Sequence, residues 1–204
     1  MSTLSPDLGW VSIDLPGGTS QTALGTLGPA GTSSEKAAER LRSRVAQDAK
    51  IHLYDTYEGA HTALRDGEVT HVVVANAFTD IHEFYMDGAL ALSDVFVMDT
   101  PLYGIVKRPT DVTLPEAPKL ISHPSPVPLI SELLPSGLKL GGVSTADSTS
   151  SAARAVAEGK FDLAMTTEPA AELYGLEFVS RRRPIRMVWS VFTTQQTVAS
   201  PVMV

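Results

Sequence analysis

Four times along this chain a short apolar run ends in hydroxyl or amide residues that open a helical stretch. Residues 23–27 lead into Thr32-Ser33-Ser34, and 71–75 into Asn76. Residues 138–143 lead into Ser144-Thr145 and on to Ser151, and 161–165 into Thr166-Thr167. Apolar runs alternating with helical spacing are the mark of an α/β protein built on parallel strands. Ligands of such sheets sit beyond the carboxyl ends of the strands, where these turns gather. Four such turns point to a polar site that accepts a small acid, whereas each alone reads as an ordinary helix cap.

The first turn is the richest. Gly28-Pro29-Ala30-Gly31-Thr32-Ser33-Ser34-Glu35 follows a strand and precedes a helix spanning 34–46. A turn glycine allows positive φ or close backbone approach. Thr32 and Glu35 have capping-box spacing. A helix start carries free N–H groups that favour a carboxylate or phosphate. The run lacks the Gly-Lys-Ser/Thr ending of a phosphate-binding loop.

Further strands are expected at 51–54, 95–98, 101–107, 120–122 and 186–194. Helices are expected at 56–66, 127–134, 151–158 and 169–174. Residues 1–22 read as a leader, with an edge strand at 10–15, and 195–204 as a tail. The chain has 23 acidic and 16 basic residues, a net charge of -7, and its one basic cluster is Arg181-Arg182-Arg183 with Arg186. That balance argues against a nucleic-acid partner. The absence of cysteine excludes disulfides and thiolate chemistry. No apolar run is long enough to span a membrane, and the first residues lack the pattern of a signal peptide. A cytoplasmic protein is the expectation. No His/Asp/Glu set has metal-ligand spacing, so no metal is expected.

The motifs resemble, in order, those of prephenate dehydratases. Leu27 to Glu35 looks like that family's opening motif. Val73-Val74-Ala75-Asn76-Ala77 is similar to its strand ending in Pro-Ile-Glu-Asn-Ser. His123-Pro124 sits at its His-Pro turn, and Ser144-Thr145-Ala146-Asp147-Ser148 resembles its Ser-Thr-Ala-x-Ala turn. Ala164 to Thr167, continuing through Ala170-Ala171-Glu172-Leu173-Tyr174-Gly175-Leu176, matches a further block. The resemblance implies a two-lobed α/β fold like the type II periplasmic binding proteins, with the active site between the lobes; the ACT domain common in dehydratases is not expected here. Lobe one is then 23–101 plus 187–204, lobe two 102–186, and a homodimer is implied.

The departures carry chemical meaning. The family's Thr-Arg-Phe motif is missing from the last strand, where alignment sets Met187 at the Thr and Val188 at the Arg. Glu-Asn-Ser has become Ala75-Asn76-Ala77. A dehydratase expels the ring hydroxyl with a proton donor beside it, a form of help worth roughly 10²–10⁴ in rate. An apolar residue at that place removes the route. Together with Gly31-Thr32-Ser33-Ser34-Glu35 this resembles the non-aromatising prephenate decarboxylases of peptide-antibiotic pathways of the bacilysin type. The substrate implied is prephenate, the product a dihydro-4-hydroxyphenylpyruvate that keeps its hydroxyl, and no cofactor is needed.

Candidate substrate-binding residues are Thr32, Ser33, Ser34, Asn76, Ser144, Thr145, Ser148, Thr166, Arg186 and Met187. Candidate catalytic residues are Asn76 with His82 and Glu83; Tyr85 or a trapped water are alternative proton donors. Two other readings stand beside this one: a dehydratase of prephenate or arogenate with a rearranged acid, and a small-acid binding protein without chemistry.

Overall fold

In chain order the elements are β1 (Trp10–Ser12), β2 (Ala23–Leu27), α1 (Ser33–Val45), β3 (Lys50–Tyr54), α2 (Tyr57–Arg65), β4 (His71–Ala75), α3 (His82–Met86) and β5 (Leu90–Asp99). There follow β6 (Tyr103–Lys107), β7 (Lys119–Ser122), a 3-10 turn (Val127–Leu129), α4 (Ile130–Leu133), β8 (Gly142–Thr145) and α5 (Thr149–Ala157). The last are β9 (Leu163–Thr167), α6 (Glu168–Leu173), β10 (Glu177–Phe178) and β11 (Arg186–Thr194). The computed structural model describes residues 10–12, 22–45 and 47–195. Of the expected edge strand at 10–15, Trp10–Ser12 pairs antiparallel with β5, and 13–15 lie outside the described residues. The expected tail, apart from Gln195, also lies outside them.

The chain divides into two units. The first comprises Met1–Gly28, Ser34–Asp99 and Arg186–Val204, the second Pro29–Ser33 and Thr100–Ile185. The chain passes between them at Asp99/Thr100 and Ile185/Arg186, and the turn at 29–33 belongs with the second unit rather than with the strand that precedes it.

The first unit is one sheet in the order β1-β5-β11-β4-β2-β3. β3, β2 and β4 run parallel, and β11 and β5 are antiparallel neighbours. β2 lies between β3 and β4, so the connections after β2 and β4 leave the sheet in opposite directions. Side chains alternate across the faces. One face packs Leu24, Val73, Phe96, Trp189 and Val191 with Ala37, Ala38 and Leu41 of α1. The other packs Val72, Val74, Leu90 and Phe192 with Tyr57, Ala60 and Leu64 of α2 and Phe84 of α3. Each fully buried aliphatic side chain contributes about 1.5–3 kcal/mol.

The second unit repeats the plan. Its sheet order is β10-β6-β9-β7-β8, with β8, β7 and β9 parallel and β6 and β10 antiparallel. Its cores are Ile105, Leu120, Ile130, Leu133, Leu163 and Met165, and, on the other face, Val106, Ile121, Ala152, Val156 and Ala171.

Several expectations differ from the structure: β5 is longer than the strand expected at 95–98, α5 begins two residues before the helix expected at 151–158, and β10 was not expected. The strand read at 138–143 lies at Gly142–Thr145, while Leu138 and Leu140 pack onto the core from a non-strand segment. The helix expected at 127–134 is a 3-10 turn followed by a single α turn. The helix α3 was not anticipated; it is five residues long with no side-chain cap, and it is anchored by buried Phe84.

Candidate active site

In open α/β sheets the crevice lies where neighbouring strands send their connections opposite ways. In the first unit that place is the carboxyl end of β2 and β4, where Gly28 and Asn76 stand. Gly28 N–H donates to the Tyr54 carbonyl at 2.7 Å. Asn76 is exposed, and two residues of β11 hold it. Its N–H donates to the Val188 carbonyl at 3.1 Å. Its Oδ1 accepts from the Ser190 hydroxyl at 3.0 Å. Ser190 Oγ in turn shares a 2.8 Å hydrogen bond with Tyr85 Oη. Ser190 is fully buried, whereas Tyr85 is 42 % exposed.

The register of β11 against β5 continues this surface. Ser190 lies opposite Val95, Val188 opposite Val97, and Arg186 opposite Asp99. Residues two apart share a face, so the polar Asn76–Ser190–Tyr85 chain runs into an apolar pair, Val188 and Val97. Both are more than a third exposed. The ladder ends in a bidentate pair, Arg186 Nε to Asp99 Oδ1 at 2.7 Å and Nη2 to Oδ2 at 3.0 Å. That guanidinium holds the Asp99 carboxyl below the usual carboxylate range. Met187 faces the other way and packs against the core beside α1.

His82 and Glu83 open α3 and are both exposed. Among the described residues neither side chain has a hydrogen-bond partner. The structure therefore brings Asn76 together with Tyr85 and Ser190, not with His82 or Glu83. Ser190 escaped the sequence reading because a lone serine inside an apolar strand carries no local signal.

The opening turn is built inward. Thr32, Ser33 and Ser34 are all buried. Ser34 Oγ meets Tyr57 Oη at 2.9 Å, and that phenol also accepts the Ala75 N–H at 3.1 Å. In the second unit, Ser33 Oγ meets Tyr103 Oη at 2.9 Å, and burial pushes the Tyr103 hydroxyl pKa up. The turn's carbonyls are caught by two helix starts: Ser150 Oγ donates to Ala30 O at 2.8 Å and Thr167 Oγ1 to Gly31 O at 2.7 Å. Gly31 has φ +85°, and a Cβ there would lie 3.1 Å from the Ala170 Cα. The positive φ favours glycine, and a Cβ would need the Ala170 backbone to give by a few tenths of an ångström.

The remaining candidates of the second unit divide by exposure. Ser144 and Thr145 are exposed on edge strand β8. Ser148 is buried and caps α5, accepting from the Ser151 N–H at 2.9 Å. Thr166 is fully buried and donates to the Thr149 carbonyl at 2.8 Å. His123 is half-buried; burial lowers its pKa, and Asp147 acts in the opposite sense. Among the described residues no group of three His, Cys, Asp or Glu side chains is placed to hold a metal. None of the described helices is long and apolar enough to cross a membrane.

The prephenate dehydratase family model matches residues 24–183. The chain belongs to the prephenate dehydratase family. Within reach of that match lie β2, the opening turn, Asn76, α3 and the second unit's turns, while β11 with Ser190 falls beyond it. Two relatives carry the name prephenate decarboxylase. One, from Planktothrix agardhii, is 38% identical over 86% of this chain and 89% of its own. The other, from Bacillus subtilis, is 38% identical over 82% and 84%. Among solved structures the chain is similar to a prephenate dehydratase from Arthrobacter aurescens in complex with L-Phe. The TM-score there is 0.68 at 17% identity, covering 85% of this chain and 60% of that one. A periplasmic substrate-binding protein of an ABC transporter from Coxiella burnetii gives 0.51 at 16% identity, over 88% and 87%. These two likenesses show the fold: two lobes, each a mixed sheet with helices, of the periplasmic-binding-protein kind.

Proposed function

We propose that this chain is a cofactor-independent prephenate decarboxylase, a carboxy-lyase that removes CO₂ from prephenate and leaves the ring hydroxyl in place. The observation that supports it most is the 38% identity, over most of both chains, to proteins of that name. The absence of Thr-Arg-Phe from β11 supports it independently, since Met187 packs into a core and Val188 is apolar.

The bond from the ring to the carboxylate carbon breaks, and its electron pair enters the ring diene. In a dehydratase those electrons expel the hydroxyl. Without an acid beside that oxygen, they are instead captured by a proton added to a ring alkene carbon. The product is a dihydro-4-hydroxyphenylpyruvate. Asn76 contacts an oxygen of the substrate, and the Val188–Val97 pair offers the ring an apolar surface. The proton donor is one of His82, Glu83, Tyr85 or a trapped water; of these only Tyr85 is hydrogen-bonded into the Asn76–Ser190 chain. Of the candidates for holding the acid groups, Ser144, Thr145 and Arg186 are exposed, Thr32, Ser33 and Ser34 are buried in the opening turn, and Ser148 and Thr166 are buried with their hydroxyls given to the α5 cap and the Thr149 carbonyl. By the same resemblance the protein works as a cytoplasmic homodimer in the biosynthesis of an antibiotic or other secondary metabolite.

The test is incubation with prephenate at catalytic protein concentration, following CO₂ release and the ring protons by NMR. Loss of CO₂ with retained carbinol proton and shifted alkene signals is expected. Phenylpyruvate formed without an acid step would make the chain a dehydratase, and no CO₂ at all would leave a binding protein. Asn76→Ala and Thr32→Val are expected to lower turnover or affinity strongly.

A further inference from the structure

We infer that Ser190 and Tyr85 are positioning residues that set which end of the Asn76 amide faces the substrate. The inference rests on the reading of Asn76 as a substrate contact. An exposed asparagine side chain has two nearly isosteric ends, one accepting and one donating hydrogen bonds. A rotation of half a turn exchanges them, so an unconstrained Asn76 offers a carboxylate or hydroxyl oxygen the wrong end part of the time.

Three contacts on the first unit remove that freedom. The Asn76 backbone is tied to β11 by its N–H on the Val188 carbonyl. The Ser190 hydroxyl, fully buried, gives its one proton to Asn76 Oδ1. Having spent that proton, Ser190 Oγ accepts from Tyr85 Oη at 2.8 Å. The Tyr85 ring is itself fixed edge-on against Phe192, with centroids 5.0 Å apart at 75°. The chain thus runs in one direction, from phenol to serine to amide oxygen. Nδ2 is left pointing away from Ser190 with two N–H donors, and among the described residues it has no hydrogen-bond partner. A donor-only group beside the apolar Val188–Val97 pair suits the acceptor oxygens of a carboxylate or alcohol next to a ring.

Core packing at position 190 needs no hydroxyl; alanine would occupy the same place on β11. The hydroxyl matters only through Asn76, and that is testable as non-additivity. Steady-state prephenate turnover is measured for Ser190→Ala, Tyr85→Phe, Asn76→Ala and the double variant Ser190→Ala/Asn76→Ala. Ser190→Ala is expected to lower kcat/KM about threefold to tenfold, as for an exposed amide that loses its orienting hydrogen bond, and Tyr85→Phe about twofold. In the Asn76→Ala background Ser190→Ala should then change little. If Ser190→Ala does not fold, Tyr85→Phe alone and with Asn76→Ala gives the same cycle, because Tyr85 is partly exposed and tolerates the change.

Beside the kinetics, the Asn76 side-chain N–H₂ signals are followed by NMR in ¹⁵N-labelled free protein, where Ser190→Ala should shift or broaden them. Equal losses from Ser190→Ala in both backgrounds overturn the inference. So do Asn76 amide signals that ignore Ser190, whether or not the wild type consumes prephenate. A wild type that consumes none, with amide signals that respond to Ser190→Ala, overturns the reaction assignment alone.

Discussion

Thr167 donates its hydroxyl to the Gly31 carbonyl at 2.7 Å across 136 residues of sequence. This bond, with that from Ser150 to Ala30 O, holds the opening turn in its observed path. Thr167→Val keeps the volume and removes this buried hydrogen bond, so a loss of about 0.5–1.5 kcal/mol is expected. The urea midpoint should fall with an unchanged slope.

Gly31→Ala should destabilise by a different route. The residue sits at φ +85°, and the new methyl would press on the Ala170 backbone. Backbone strain of this kind costs about 1–3 kcal/mol before any steric contribution. The expected readout is a lowered melting temperature together with weakened prephenate turnover.

Tyr57 links three features by one phenol: the Ala75 N–H, the Ser34 hydroxyl and the core beside α2. Tyr57→Phe retains the packing and removes both hydrogen bonds. A loss of about 1–3 kcal/mol in urea unfolding is expected, from a part-buried N–H left without its acceptor.

Burial holds the His71 imidazole below its ordinary value of 6.5, with Asp94 opposing. On acidification the unfolded chain therefore takes up this proton before the folded one does. Its contribution is fully present above about pH 6.5 and is lost as the pH falls toward the lower folded value. His123 is shifted the same way. Stability measured by urea unfolding between about pH 7.5 and 5.5 should fall with acid, and His71→Gln should flatten part of that slope.

Arg186 at the start of β11 is paired with Asp99. Both side chains are exposed, so Arg186→Gln should leave the unfolding midpoint nearly unchanged. If the guanidinium binds a substrate carboxylate, KM for prephenate rises about tenfold with kcat little altered. Asp99→Asn should move KM the opposite way. A KM unchanged in both variants would make the pair purely structural.

Local chemistry made much of the fold readable. The runs at 23–27 and 71–75 were legible because they are short, apolar and bounded by turn residues, and β2 and β4 keep those bounds. Thr56 and Ser148 cap α2 and α5 with their own side chains, an interaction within four residues. Where packing and hydrogen bonding part company, the reading slipped. Leu138 and Leu140 supply the apolar signal, yet the strand is the exposed edge Gly142–Thr145, paired with β7.

What the sequence alone determined is the order of turns, and with it the family, because capping and turn preferences act between near neighbours. Its missing Thr-Arg-Phe already separates this chain from the dehydratase pattern. Tertiary structure decided which polar groups meet. Ser190 lies 114 residues from Asn76 and 105 from Tyr85, and no local pattern predicts that an interior strand serine will join them. It also turned Thr166 and Ser148 inward, since a buried carbonyl or N–H must find a partner and the nearest hydroxyl supplies it.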